Sequence, residues 1–330
     1  MFESLKNSRI VITGGAGFIG SNLTGALLDL GCEVVVLDNF ATGKRENLEP
    51  FALKRNFTLL EGDIRNQEDC LRAVAGADFV LHEAALGSVP RSIKAPGTSA
   101  DVNIGGFVNM LHAASKAGVK RFVYASSSSV YGDCQDSPKV ESRTGTPLSP
   151  YALTKSVNEQ FAANFHAVYG IDCIGLRYFN VFGRRQAPEG AYAAVIPKFS
   201  AALLAHHSPV INGDGSFSRD FTFVDDVVQA NILALTAGEP ACNTVFNIAG
   251  GQETTLNELF AFLREELSVF DGEISGISPV HAPERAGDIP HSLADISKAR
   301  TLLGYIPRFN VRSGLKLTAQ WYFEHLSGRK

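Results

Sequence analysis

Tyr151 and Lys155 stand four residues apart, so a helix carries both side chains on one face. Ser149-Pro150 supplies a helix start just ahead of them, and Val157, Phe161, Phe165 and Val168 continue an apolar stripe. A phenol titrates at about 10 and is a poor base at neutral pH. A neighbouring ammonium stabilises the phenolate, as would a cationic nicotinamide ring, so the pair suits proton transfer to and from a hydroxyl. Upstream, Ser126-Ser127-Ser128-Ser129-Val130-Tyr131-Gly132 follows a β-branched run. The carboxyl edge of an open parallel sheet is where ligands bind, and serines placed there can recognise a hydroxyl.

Nearer the N-terminus, Gly14-Gly15-Ala16-Gly17-Phe18-Ile19-Gly20 fits G-x-x-G-x-x-G from Gly14 and G-x-G-x-x-G from Gly15. Glycines let a backbone turn tightly against a pyrophosphate whose charge meets the start of the next helix. Asp38, ending the following β-branched run, stands where an acid holds ribose hydroxyls. Asn39 and Phe40 come next rather than arginine, which favours NAD over NADP. Asp63, after the third such run, is placed to face the adenine end. Taken singly, a glycine turn or a Y-x-x-x-K pair also fits an ordinary turn or a solvated helix face; their order along the chain gives them weight.

The elements that must position these groups follow a βαβ rhythm. Arg9–Thr13, Glu33–Asp38, Phe57–Glu61, 78–82 and 121–125 read as buried strands, and 20–30, Gln67–Val74 and 103–117 as helices ending near Gly31, Gly76 and Gly118. This predicts a Rossmann-type α/β fold, a doubly wound parallel sheet, with a smaller mixed α/β substrate lobe. Residues 1–181 are expected to form the cofactor domain and 182–330 the second lobe, interleaved by segments near 221–250 that return to the first. Helices are predicted at Val224–Thr236 and 256–267. The chain has 330 residues, 45% hydrophobic and 19% charged, with formal net charge −4. Dispersed basic residues at that charge argue against nucleic acid, and no apolar run suits a membrane. Five cysteines without a C-x-x-C pair argue against a disulfide framework or zinc site. No signal peptide is read at the N-terminus, so a cytoplasmic protein is expected.

Beyond these motifs, His82-Glu83-Ala84-Ala85 and Leu176-Arg177-Tyr178-Phe179-Asn180-Val181-Phe182-Gly183 complete a pattern that resembles the extended short-chain dehydrogenase/reductases. More narrowly, the chain resembles the UDP-hexose 4-epimerases, above all their bacterial UDP-N-acetylglucosamine 4-epimerase branch. Ala84-Ala85-Leu86-Gly87-Ser88-Val89-Pro90-Arg91-Ser92, the run 190–198 and His291-Ser292-Leu293-Ala294-Asp295 carry that narrower likeness. It implies tightly bound, recycled NAD. Tyr151 as phenolate would take the proton of the sugar 4-hydroxyl while C4 gives hydride to NAD; the 4-keto sugar then turns over and regains hydride on its other face. Ser127 and Ser128 would assist, with Lys155 on the nicotinamide ribose.

The same resemblance places the cofactor against Gly14, Gly17, Phe18, Ile19 and Gly20, then Asp38, Asn39, Phe40, Thr42 and Gly43. Asp63, Ile64, Ala84, Ala85, Gly87, Asn103, Tyr151, Lys155, Tyr178 and Val181 complete that set. It places the UDP-sugar against Ser88, Ser127, Ser128, Tyr151, Asn180, Ala194, Val195, Lys198, Val210 and Asn212. Arg219, Arg285, Asp288 and Ser292 complete the substrate set, the arginines as diphosphate ligands. Ser128 and Ser129 stand where the family's 4,6-dehydratases carry an Asp-Glu pair and its decarboxylases a glutamate. Ser292 stands where glucose-limited enzymes carry tyrosine, which leaves room for an N-acetyl group. Alternatives are a 4-epimerase of UDP-hexuronates, one of both UDP-Glc and UDP-GlcNAc, or a non-catalytic NAD-binding regulator. A homodimer through helices 103–117 and 151–168 is expected by analogy. No metal is expected: neither His82 nor the pair His206/His207 has clustered acids or cysteines beside it.

Overall fold

The computed structural model describes residues 3–188, 194–284 and 290–326. Seven strands form one parallel sheet. They are β1 (Arg9–Thr13), β2 (Glu33–Asp38), β3 (Phe57–Glu61), β4 (Phe79–His82), β5 (Arg121–Ser127), β6 (Cys173–Tyr178) and a late strand, Thr244–Ile248. Between β6 and that strand come β7 (Val181–Phe182), β8 (Val210–Asn212), β9 (Ser218–Asp220) and β10 (Thr222–Phe223), so the late strand is β11. The sheet order is β11-β6-β5-β4-β1-β2-β3. Winding reverses between β1 and β4, so the loops leaving those strands part and open a crevice at the carboxyl edge.

Continuous apolar strands such as Glu33–Asp38 need helices on both faces. The first half supplies α1 (Phe18–Asp29), α2 (Gln67–Val74), α3 (Val89–Lys94), α4 (Pro96–Ala100), α5 (Phe107–Lys116) and α6 (Pro150–Tyr169). The second supplies α7 (Val195–Leu204), α8 (Val224–Thr236), α9 (Leu256–Ser268), α10 (Ser297–Leu303) and α11 (Val311–Leu326). Leu23 and Leu27 of α1 join Val227 and Val228 of α8 on one face of the sheet. On the other, Cys70 of α2, Phe107 and Met110 of α5 and Phe165 of α6 pack together. A third core, around Phe182, Phe221, Leu259 and Leu315, holds α7, α9 and α11, flanked by β9 paired with β12 (Glu253–Thr255) and β8 with β13 (Val280–Ala282).

Two expectations change. Residues 103–117 are not one α-helix: Asp101–Gly106 form a wider π-type turn before α5. Gly106 is packed so closely that a Cβ there would lie 2.5 Å from the Ile64 side chain. The apolar stripe of α6 also stops at Phe165; Val168 is 62% exposed, and the buried face runs through Ala152, Lys155, Asn158 and Ala162. Among the described residues no helix is long and apolar enough to cross a membrane.

Candidate active site

Six strand ends meet at the crevice, because parallel register aligns Thr13 with His82, Asp38 with Glu61 and Ser127 with Tyr178. Gly14 turns out of β1 at φ 69°, and a Cβ on it would sit 2.8 Å from the Ala84 backbone. The loop after β1 therefore touches the loop after β4. A Cβ on Gly20 would stand 2.3 Å from the Gly14 carbonyl, so only glycine lets α1 close onto its strand. Gly17 caps α1 with extended backbone and no side-chain hydrogen bond, leaving the helix start to face the crevice. Asp38 is aimed by two amides, Oδ2 accepting from Ala16 at 2.9 Å and Oδ1 from Phe40 at 2.8 Å. Burial pushes its pKa up and those amides pull it back. Arg65 and Asn39 bind Asp63 and bring its carboxyl down to about 2, Arg65 being the larger influence.

At the other end, Ser149 caps α6 by accepting the Ala152 amide at 3.1 Å, and the Tyr151 amide donates to the Ser92 hydroxyl at 3.0 Å. The cap sets the face on which Tyr151 and Lys155 meet the crevice. Burial raises the Tyr151 phenol, and the neighbouring Ser127 hydroxyl pulls it back. Its direction is opposite to the lowering predicted from the Tyr-Lys spacing. Lys155 Nζ donates to the Ala125 carbonyl at 2.7 Å and lies 6.0 Å from the Tyr151 ring centre. Burial brings Lys155 down to about 8, opposed by Glu83 and then Glu159. The half-buried Glu83 Oε1 accepts the Tyr178 hydroxyl at 2.9 Å, and burial pushes that carboxyl up to about 7.

One cavity of about 620 Å³ runs from Asp38 to Lys155. Its walls carry Gly14, Gly17, Phe18, Ile19, Gly20, Asp38, Asn39, Thr42, Gly43, Asp63 and Ile64. They also carry Ala84, Ala85, Gly87, Ser127, Tyr151, Lys155, Tyr178, Val181, Asn180 and Ala194. A second cavity of about 420 Å³ is lined by Val195, Lys198, Val210, Asn212 and Arg219; Asn180 reaches both. Arg219 Nη1 donates to the Ser218 and Pro290 carbonyls at 2.8 and 3.3 Å.

Five expected site residues line neither cavity. Phe40 takes φ 57°, and its ring stacks 3.9 Å from the Arg45 guanidinium. Asn103 is buried behind the wall, receiving the Leu86 amide and donating to Thr154. Ser88 caps α3. Ser128 begins a short 3₁₀ turn capped by Ser127. Ser292 lies along β9, its carbonyl accepting the Asp220 amide at 2.8 Å. Arg285 and Asp288, and positions 190–193 of the run 190–198, fall outside the described residues. Sequence reasoning gave no site role to Glu83, Arg65 or Gln186, which all line the larger cavity. Glu83 could have been found by the rule that singled out Asp38 and Asp63, since it too follows a strand end. His82 is a core histidine, buried against Phe107 and Phe122 with Nδ1 3.0 Å from the Thr13 hydroxyl. The fold brings acids to His206 that the sequence did not show: Asp271 lies 3.0 Å and Glu273 3.4 Å from its ring.

A parallel sheet with a glycine crevice, an acid at the end of β2 and a serine–tyrosine–lysine cluster at its switch point has the build of a dinucleotide-binding protein equipped for proton transfer. The chain belongs to the NAD dependent epimerase/dehydratase family, whose profile matches residues 10–249. A UDP-glucose 4-epimerase of Mycolicibacterium smegmatis is 37% identical over 316 residues, covering 95% of this chain and 98% of that protein. The solved UDP-N-acetylglucosamine 4-epimerase of Methanobrevibacter ruminantium, in complex with UDP-N-acetylmuramic acid, superposes with TM-score 0.90 at 39% identity, covering 97% of this chain and 99% of that one. The UDP-glucose 4-epimerase of Thermus thermophilus, solved with NAD, gives TM-score 0.83 at 32% identity over 96% and 99% of the two chains. The residues present fit NAD. A Cβ on Gly17 would meet only the Gly14 carbonyl, at 3.1 Å, and would otherwise project from the uncapped helix start. Gly14–Gly20 would hold its pyrophosphate, Asp38 its adenosine ribose and Lys155 its other ribose.

Proposed function

We propose that this chain catalyses reversible 4-epimerisation of a UDP-sugar, with UDP-N-acetylhexosamines (UDP-GlcNAc and UDP-GalNAc) as preferred substrates. The observation that carries the reading is that Ser127, Tyr151 and Lys155 line the larger cavity together, with Ser128 and Ser129 following Ser127. Ser127 orients the phenol, and Tyr151 takes a proton from a sugar hydroxyl and returns it. Bound NAD would supply the hydride acceptor and give the hydride back. The Ser128 and Ser129 hydroxyls are no substitute for the acid and base that water elimination needs, which favours epimerisation over dehydration. Asn180 joins the two cavities, so a nucleotide in the second, beside Lys198, Asn212 and Arg219, can present its sugar to Tyr151. Arg285 and Asp288 are assigned to that nucleotide by resemblance.

Preference for the acetamido sugar is assigned to Ser292 by resemblance; in the fold its carbonyl accepts the Asp220 amide along β9. Conversion of UDP-GlcNAc, UDP-GalNAc, UDP-Glc and UDP-GlcNAc-uronate, without added NAD, tests the reading. The acetamido pair should turn over fastest, and Ser292→Tyr should cut that turnover roughly tenfold by overpacking while leaving UDP-Glc within about twofold. An equal fall on both sugars removes the gating role. Faster uronate turnover selects that alternative, and retained NAD with no turnover of any sugar selects the regulator. A homodimer is supported by the exposed Leu153, Val168 and Tyr169 of α6 and is checked by light scattering. Residues 1–181 with a return near 221–250 are taken as the cofactor lobe.

A further inference from the structure

The two faces of β5 meet different partners. Val123 and Ala125 join the core shared with α1 and α8, whereas Phe122 and Tyr124 join the one shared with α5 and α6. Side chains alternate along a strand, so Ser126 continues the face that looks onto α6. On β6, Arg177 stands directly opposite Ser126 in the parallel register and continues the same face after Cys173. An apolar face thus ends in a hydroxyl and a guanidinium, and what both meet is Glu159 of α6. Glu159 Oε1 accepts from the Ser126 hydroxyl and, at 2.9 Å, from Arg177 Nε; Oε2 accepts from Arg177 Nη2 at 2.7 Å. Arg177 Nη1 donates to the Glu141 carbonyl at 3.0 Å, and the guanidinium lies 5.0 Å from the centre of the Tyr131 ring.

Glu159 lies one turn after Lys155 and two after Tyr151, so α6 presents all three on one face. Lys155 Nζ donates to the Ala125 carbonyl at 2.7 Å. Two successive turns of α6 are therefore bonded to two successive residues of β5, the pair just before Ser127. Burying an ion pair is a poor way to gain stability, because desolvation offsets most of the attraction. Here the Arg177 side chain is 5% exposed and that of Glu159 15%. What the pair does give is direction. A helix held by apolar contacts alone can slide, whereas a guanidinium fork and a hydroxyl fix where the carboxylate sits. The Ser149 cap holds the start of α6; the Glu159 bonds hold its distance from β5.

We propose that Ser126 and the Glu159–Arg177 pair are positioning residues. They set α6 against the end of β5, and so hold Tyr151 and Ser127 at the separation at which both reach one sugar hydroxyl. Ser126 acts most directly, being bonded to Glu159 and adjacent in the chain to Ser127. This role rests on the reading of Tyr151 as the proton-transfer group.

Ser126→Ala removes one hydroxyl and leaves both Arg177 bonds to Glu159, so the fold should survive. On the best UDP-sugar, kcat should fall about tenfold, with KM within about twofold and bound NAD retained. Glu159→Gln should give a similar fall, and the double variant no more than either alone, because the two side chains act as one unit. A lower urea midpoint with kcat unchanged in Ser126→Ala means that the bond only stabilises, and overturns the proposal. Loss of bound NAD overturns it too, since the Ser126 hydroxyl, on the wall of the larger cavity, would then serve the cofactor. Losses that multiply to about a hundredfold in the double variant mean that Ser126 and Glu159 act apart, which also overturns it. If Glu159→Gln does not fold, Ser126→Ala decides alone. Tyr151→Phe is the control. Should it leave kcat intact, the reading of Tyr151 and this proposal fall together; should it abolish turnover while Ser126→Ala changes nothing, this proposal falls alone.

Discussion

The two cavities are walled by different materials. The larger is made of strand ends and glycine backbone, and two of its polar side chains are fixed by main-chain bonds: Asp38 by two amides, Lys155 by the Ala125 carbonyl. The smaller is made of side chains, Lys198, Asn212 and Arg219 among Phe199, Phe217 and Phe221, set on α7 and on strands of three residues. Backbone walls tolerate no growth, as the 2.3 Å approach at Gly20 shows, but they hold reacting groups to a narrow geometry. Side-chain walls can be retuned at modest cost. The difference assigns chemistry to the first cavity and affinity to the second.

Tyr151→Phe should separate those roles most sharply. It leaves the α6 cap and the ring in place and removes only the phenol hydroxyl. A fall in kcat of about 10²- to 10⁴-fold is expected, with KM within a few-fold. Arg219→Ala should act in the other column, raising KM roughly 10- to 100-fold by loss of a charge-assisted hydrogen bond while kcat stays within about threefold. Arg219→Lys should restore part of that, since an ammonium keeps the charge but not the fork. Steady-state kinetics on the best UDP-sugar checks both. Should Arg219→Ala lower kcat as much as Tyr151→Phe does, the division between the cavities is wrong.

Legibility in the sequence follows the same division. Gly14 to Gly20, Asp38, Tyr151 and Lys155 were readable because each works beside its own neighbours: a turn, a strand end, one face of a helix. Glu83 was in plain view within His82-Glu83-Ala84-Ala85, yet its placement depends on the Tyr178 hydroxyl two strands away in the sheet, itself bound by Asn231 from α8. No spacing rule links those three. Arg219 and Asn212 came only through resemblance, since strands as short as Ser218–Asp220 display no period. Phe40 misled because a positive φ, invisible in composition, turns its ring onto Arg45. The π-type turn at Asp101–Gly106 was hidden because its apolar pattern reads as an ordinary helix.

Asp220 is the place where the second region borrows the first region's method, and it gives the smallest of the expected effects. This fully buried carboxylate on β9 collects the amides of Gly250, Gly251 and Ala294, binding the loops after β11 and before α10 to the strand that carries Arg219. Asp220→Asn offers those donors one oxygen and an NH₂ group, which should cost about 1–3 kcal/mol, read as a lower urea midpoint at unchanged m. Burial pushes the Asp220 carboxyl up to about 7 against the pull of the backbone amides around it. A raised acid contributes stability that is present below its unfolded value and lost as pH rises through its folded value. The wild type should therefore lose stability between its ordinary carboxylate range and about 7 relative to the variant, so the cost of the substitution is largest in acid. A wild type that instead gains on the variant across that window would mean the amides outweigh burial. Asp220 would then be an ionised clamp of the same kind as Asp38, and backbone fixation would extend further into the second region than its side-chain walls suggest.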